Sequence, residues 1–166
     1  MKFKITCFFI FLWACTSLGQ VNNNLRKIDS IQRRVLKSSI QDSLTIANAN
    51  YQIGELYRYA FFADSAYTYY HKAEKIFRSL GDTYQTALTV YGIAVIQKNE
   101  KDFTGSEVSS IEALSLLDEL EESNDVRKYK AYIYNNLGLV FGQLEQYDES
   151  ISYYLKAITL KEKLEG

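Results

Sequence analysis

The chain has no proline in its 166 residues. Nothing in it therefore forbids helix continuation, and helix ends must come from glycine, asparagine or capping side chains. Histidine occurs once, at His71, and the only two cysteines are Cys7 and Cys15. A catalytic or metal role for His71 needs partners, and no second histidine or nearby cysteine supplies them. The glycines are dispersed and form no phosphate-cradling loop. The serines stand in no recognisable motif with a histidine base. Enzyme activity is thus not expected, and neither a cofactor nor a metal is called for. Charge of one sign is also lacking. Lys+Arg number 19 against 20 for Asp+Glu, a formal net charge of −1. Nucleic-acid binding needs a concentrated basic face, which this balance does not offer. Arg26, Lys27, Arg33, Arg34 and Lys37 cluster locally, but such a run reads first as a solvated helix face.

The first residues read as an export signal rather than as part of the fold. Lys2 and Lys4 give a positive start, and Ile5–Cys15 is apolar apart from Thr6. Ser17-Leu18-Gly19 then offers small residues at the two positions a signal peptidase reads, so cleavage is expected between Gly19 and Gln20. The protein is accordingly expected to be exported, as a periplasmic, secreted or cell-surface protein with residues 1–19 removed. Retention as an uncut anchor is one alternative. Lipidation of Cys15 is another, because Leu12-Trp13-Ala14-Cys15 loosely resembles a bacterial lipobox. A chain cut after Gly19 would contain no cysteine and hence no disulfide.

What is present is repetition. Ala47–Leu80, Ala87–Leu120 and Ala131–Leu164 superpose on one frame without a gap. A fixed period of this kind marks a solenoid of small helical units, each too small to bury its own apolar face. The eighth frame position holds Gly54, Ala94 and Gly138. The twentieth holds Ala66, Ser106 and Ser150, and the twenty-seventh Ala73, Ala113 and Ala157. All are small, as expected where two helices cross closely. Bulk follows less regularly. The seventh position is Ile53, Ile93 and Leu137, the eleventh Tyr57, Gln97 and Phe141, and the twenty-fourth Tyr70, Ser110 and Tyr154. The middle unit is degenerate at the last two.

This frame resembles the tetratricopeptide repeat, a helix–turn–helix unit of 34 residues. The resemblance implies an all-α fold, a right-handed superhelical solenoid of three such units preceded by one capping helix. The expected organisation is a signal peptide over 1–19, a capping helix and linker over 20–46, and repeats over 47–80, 87–120 and 131–164. Leu25, Ile28, Ile31, Val35 and Leu36 recur at helical spacing, which predicts an amphipathic capping helix after a loose Val21–Asn24 and before a turn at Ser38–Asp42. Gly81–Thr86 and Glu121–Lys130 are predicted to form a turn followed by extra helix. The expected N-caps are Asp82 or Thr83 in the first and Asn124 or Asp125 in the second, with Gly81 and Asn124 as left-handed helix stops. Asp118, Glu119, Glu121 and Glu122 read as solvated surface. No terminal helix follows Leu164, so the sequence is expected to be part of a longer protein or to have its end covered by another chain.

In this family the concave groove is lined by the first helix of each unit. Carried over by position, the lining would be Asn48, Tyr51, Gln52, Glu55, Arg58 and Tyr59, then Leu88, Tyr91, Gly92, Val95, Lys98 and Asn99, then Tyr132, Asn135, Asn136, Leu139, Gly142 and Gln143. The family's carboxylate clamp uses lysine, arginine and asparagine. Its positions here hold Tyr51, Glu55, Gly92, Tyr132 and Asn136, of which only Asn136 donates comparably, so a clamp is not expected. Tyr51, Tyr91, Tyr132 and Asn135 instead offer an aromatic, hydrogen-bonding strip suited to a peptide. Glu55, Arg58, Asn136 and Leu139 complete the expected partner-binding set. Tyr57, Tyr70, Tyr134 and Tyr154 fall at packing positions.

The expected function is a non-catalytic protein-interaction module binding a protein or peptide ligand. Export and long helices resemble the sensor or scaffold region of bacterial signalling proteins. The alternative is a structural or lipid-anchored surface protein that self-associates through its uncapped third unit, along the Ile151–Leu164 helix. Nucleic acid is not an expected partner, and membrane is one only if the chain is lipidated or continues.

Overall fold

The computed structural model describes residues 19–34 and 42–165. They form α1 (residues 19–34), α2 (Ser43–Tyr59), α3 (Ala63–Leu80), α4 (Thr83–Asn99), α5 (Phe103–Asp118), α6 (Asn124–Gln143) and α7 (Tyr147–Glu165). There is no strand among the described residues. α2 packs on α3, α4 on α5 and α6 on α7, and the three hairpins stack in chain order through α3 on α4 and α5 on α6. The result is a helical solenoid. The proposed cysteine modification at Cys15 and the hydrophobic run before it lie outside the described residues. Gly19 and Gln20 open α1. No helix among the described residues is long and apolar enough to cross a membrane.

Four helix starts are capped by side chains. Asp42 accepts from the Thr45 N–H, Asp82 from Gln85, Asp102 from Gly105, and Ser123 from Val126. Asp82 agrees with the sequence. Ser123 displaces the expected Asn124 or Asp125, which already lie inside α6. The hydroxyl of Ser123 reaches the third residue on, at 3.1 Å, a geometry a serine one residue before the helix achieves readily. Gly81 does adopt the left-handed conformation, at φ 68°. Asn124 does not, because α5 has already ended at Asp118.

The turn inside each hairpin has one construction. Phe61, Lys101 and Glu145 occupy the fifteenth frame position of their units and have φ of 61°, 67° and 60°. In each turn the next residue donates its backbone N–H across the helix end: Phe62 to the Tyr57 carbonyl at 3.0 Å, Asp102 to Gln97 at 2.8 Å, Gln146 to Phe141 at 2.9 Å. This is the Schellman closure usually built on glycine. Here it is built three times without one.

All nine small frame positions are buried. A Cβ on Gly54 would stand 2.7 Å from the ring of Tyr70, and one on Gly138 would stand 2.7 Å from the ring of Tyr154. Each tyrosine thus lies flat on a bare backbone. The middle hairpin makes the opposite choice, with Ala94 against the smaller Ser110. Aromatic pairs at the eleventh and twenty-third positions follow the same division. Tyr57 stacks on Tyr69 at 5.6 Å and Phe141 packs tilted against Tyr153 at 5.2 Å, while Gln97 and Ser109 stand in the middle hairpin. Ser106 donates to the Ala94 carbonyl at 2.8 Å and Ser150 to that of Gly138 at 2.7 Å, pinning those hairpins across their closest approach.

The degenerate Ser110 is not a defect in packing. It is fully buried, and Asn136 of α6 donates to both Ser106 and Ser110 at 3.1 Å. The space a tyrosine would fill is taken by a side chain from the next hairpin. Phe77 and Leu117 are also fully buried, each contributing roughly 1.5–3 kcal/mol. Leu117 packs with Val126 and Ile133 of α6.

α1 covers the first hairpin, but not as expected. Residues 21–24 are helical rather than loose. Asn24 is buried and its amide donates to the Leu56 carbonyl at 3.4 Å, so the inward face is Asn24 and Ile28, and Leu25 is turned out. Gln32 adds a bond to the Tyr69 hydroxyl at 2.9 Å. The expected contacts of Val35, Leu36 and Lys37 lie outside the described residues. The acidic residues at the end of α5 and beyond it are tied back to α6. Lys130 meets Asp118 at 2.8 Å and Glu122 at 3.5 Å, and Arg127 meets Glu122 at 3.2 Å.

Candidate functional site: the concave groove

The first helices α2, α4 and α6 stand side by side and enclose a concave cavity of about 380 Å³. Tyr51, Glu55, Arg58, Tyr91, Tyr132, Asn135, Asn136 and Leu139 all line it, together with Tyr59, Leu88, Gly92, Val95 and Lys98. Every residue in the expected partner-binding set is therefore brought to one place. Of the wider set carried over by position, Asn48, Asn99, Gly142 and Gln143 do not line this cavity. Gln52 instead faces a second hollow against α1, with Arg26, Lys27 and Arg34.

One lining residue has no counterpart in the repeat frame. Tyr129 lies in the extra first turns of α6, before the third repeat begins, and it reaches the cavity. Its ring meets Tyr84 edge-on at 6.0 Å and Tyr132 edge-on at 5.8 Å. The helical insert after Glu121 was legible in the sequence. Its projection into the groove was not, because the third window begins only at Ala131.

Two of the expected ligand-facing groups are already engaged. Glu55 and Arg58 form an ion pair at 2.7 Å and Arg58 Nε adds a second bond to Glu55 at 3.2 Å. The buried Tyr70 hydroxyl donates to Glu55 and accepts from Arg58 Nε at 3.1 Å. Arg58 also lies over the Tyr59 ring at 4.2 Å. Burial opposes the charge on Arg58, yet the Glu55 carboxylate outweighs it and holds the guanidinium ionised. Asn136 is the other case. Its amide protons go to Ser106 and Ser110, so it forms the floor of the groove rather than a clamp for a ligand.

Tyr51 and Tyr91 remain neutral and polar-tipped. Burial pushes the Tyr51 hydroxyl well above the ordinary phenol range, with the Glu55 charge adding to it. Tyr91 is pushed up to about 12, again chiefly by burial. Both can donate hydrogen bonds at any physiological pH. His71 lies elsewhere, on α3, half-exposed and 3.1 Å from Glu74. Among the described residues no group of acidic, histidine and cysteine side chains could hold a metal.

The geometry can be set beside known proteins. No curated protein sequence matches the chain. Solved structures are similar in fold, two of them as follows. One is BtubC (BKLC) from P. vanneervenii, with TM-score 0.72 and 22% identity, covering 90% of this chain and 59% of that one. The chain thus spans well under two thirds of that relative's length. The other is MamA, with TM-score 0.59 and 19% identity, covering 82% of this chain and 67% of that one. At these identities the likeness concerns the fold. The profile of the tetratricopeptide repeat family matches residues 131–164, the window the frame had marked out as the third unit. The chain is a helical solenoid whose third window, residues 131–164, matches the tetratricopeptide repeat.

Proposed function

We propose that the protein is a non-catalytic interaction module that holds a peptide or a protein segment in its concave groove. One observation carries this reading. Tyr51, Tyr91, Tyr129 and Tyr132, drawn from three successive hairpins, converge on a single cavity. Tyrosine gives large contact area at low entropic cost and keeps a hydroxyl for the partner's backbone. A surface of this kind is what peptide recognition in a helical groove requires. The amino-terminal sequence supports export, with processing between Gly19 and Gln20 or lipidation at Cys15. The module then acts outside the cytoplasm, as the sensing or scaffolding part of a signalling protein. Selection of peptides on the full chain, followed by titration against the Tyr51→Ala/Tyr91→Ala double variant, tests the groove. Undiminished binding by a variant with unchanged circular dichroism would exclude it.

A second reading is self-association through α7, where Ile151, Leu155 and Ile158 are each about half exposed. Against it, α7 places the exposed Lys161 at the frame position where α3 and α5 bury Phe77 and Leu117. A sedimentation series that stays monomeric at rising concentration would remove this reading.

A further inference from the structure

The groove contains two cations at the same frame position of adjacent hairpins, Arg58 on α2 and Lys98 on α4. Their surroundings differ in one residue. Three positions before Arg58 stands Glu55, one helical turn away, and the two form an ion pair. Three positions before Lys98 stands Val95. Among the described residues no carboxylate lies within ion-pair distance of Lys98. Glu55 is engaged by Arg58 and Tyr70 through three hydrogen bonds. The groove therefore holds one more cation than anion, and the surplus sits on Lys98.

We propose that Lys98 is the anion-recognition point of the groove, and that the peptide filling it presents a carboxylate there. The inference rests on the groove reading above and deepens it by naming the partner's charge. A partly buried ammonium without a counter-ion is a costly arrangement in a free protein, and a ligand carboxylate relieves that cost on binding. The half-buried position adds to this. Burial, and then the nearby Arg58 guanidinium, hold the Lys98 ammonium below the ordinary lysine pKa, and the negative charge of an incoming carboxylate opposes that shift. Around it, Tyr91, Tyr132 and Asn135 offer uncharged polar groups for the peptide backbone, so charge selection falls to Lys98. The carboxylate can come from an Asp or Glu side chain or from a free C-terminus. The chemistry at Lys98 is the same for both.

Three pools of fluorescent short peptides separate the cases. They are randomised except for a central Glu with an amidated end, a central Gln with an amidated end, or a central Gln with a free C-terminal carboxylate. Polarisation titration against the full chain is expected to show the Glu pool, the free-carboxylate pool or both binding on the order of tenfold more tightly than the amidated Gln pool, the factor expected of one charge-assisted hydrogen bond. Lys98→Gln should abolish that preference while Lys98→Arg keeps it, and added salt should shrink it. The pool that gains identifies the source of the carboxylate. Equal binding of all three pools, or a preference that survives Lys98→Gln, overturns the inference but leaves the groove as a peptide site. Binding of no pool overturns both.

Discussion

Gly92 of α4 lies directly on the ring of Tyr70 of α3, so close that a Cβ would stand 2.7 Å from the ring carbon bearing the hydroxyl. The ring cannot yield, because Gly54 holds its other edge and Glu55 and Arg58 hold its hydroxyl. Gly92→Ala is therefore expected to destabilise the protein by about 1–3 kcal/mol, the cost of overpacking a closed contact. Urea unfolding of the variant measures it, and a midpoint equal to wild type would show that the second hairpin simply shifts outward.

The middle hairpin supplies the converse. Ser110 occupies the frame position of Tyr70, faced by Ala94 and Asn136 rather than by two glycines. Ser110→Tyr alone should cost about 1–3 kcal/mol. Combined with Ala94→Gly and Asn136→Gly it should cost much less than the sum of the separate changes. Contacting sites typically couple by about 0.5–3 kcal/mol. Additive losses in a mutant cycle would show that ring and backbone are not matched as described.

The three hairpin turns hold non-glycine residues at positive φ, a conformation that costs an ordinary residue roughly 1 kcal/mol. Lys101→Gly and Glu145→Gly are expected to stabilise, each by about 0.5 kcal/mol or more, since glycine adopts this conformation freely. Thermal unfolding of each single variant reads the change, and a lowered midpoint in both would contradict the assigned turn geometry.

Alkaline pH should unfold the protein through its buried phenols. Burial raises Tyr84 and Tyr91 to about 12 from the ordinary phenol value of 10.0, and it raises Tyr51 and Tyr70 in the same direction. The unfolded chain then loses these protons first, so it binds fewer protons than the folded one across that interval. Stability is expected to be full below pH 10 and to fall as pH rises from 10 toward 12. Tyr91→Phe should flatten the slope of stability against pH in this interval. An unchanged slope would mean that Tyr91 ionises freely in the folded state.

Much of this was legible in the sequence, and the reasons for the misses are local. Three superposable windows announced the hairpins because small residues at fixed spacing record where backbones meet, and the groove residues followed from the same register. What the frame could not show was engagement between residues of different units. Asn136 looked like a donor for a ligand, yet it is consumed by Ser106 and Ser110, two serines that only the stacking brings beneath it. Arg58 and Glu55 looked open and are paired. Tyr129 lay outside the frame altogether. Val21–Asn24 reads as loose because it is polar, a tendency that the buried bond of Asn24 to the Leu56 carbonyl overrides.

The residue that covers the twenty-fourth position is matched to what it covers: glycine over Tyr70, asparagine over Ser110. Each junction between hairpins is thus keyed, and the keys differ. An array in which the third hairpin followed the first directly would drop Asn136 onto the Tyr70 ring, whereas the second hairpin placed after the third would bring Gly92 over Tyr154 without conflict. Duplication or shuffling of these units in evolution is accordingly directional, and the linear order of the hairpins is inscribed in two side-chain volumes rather than in the linkers between them.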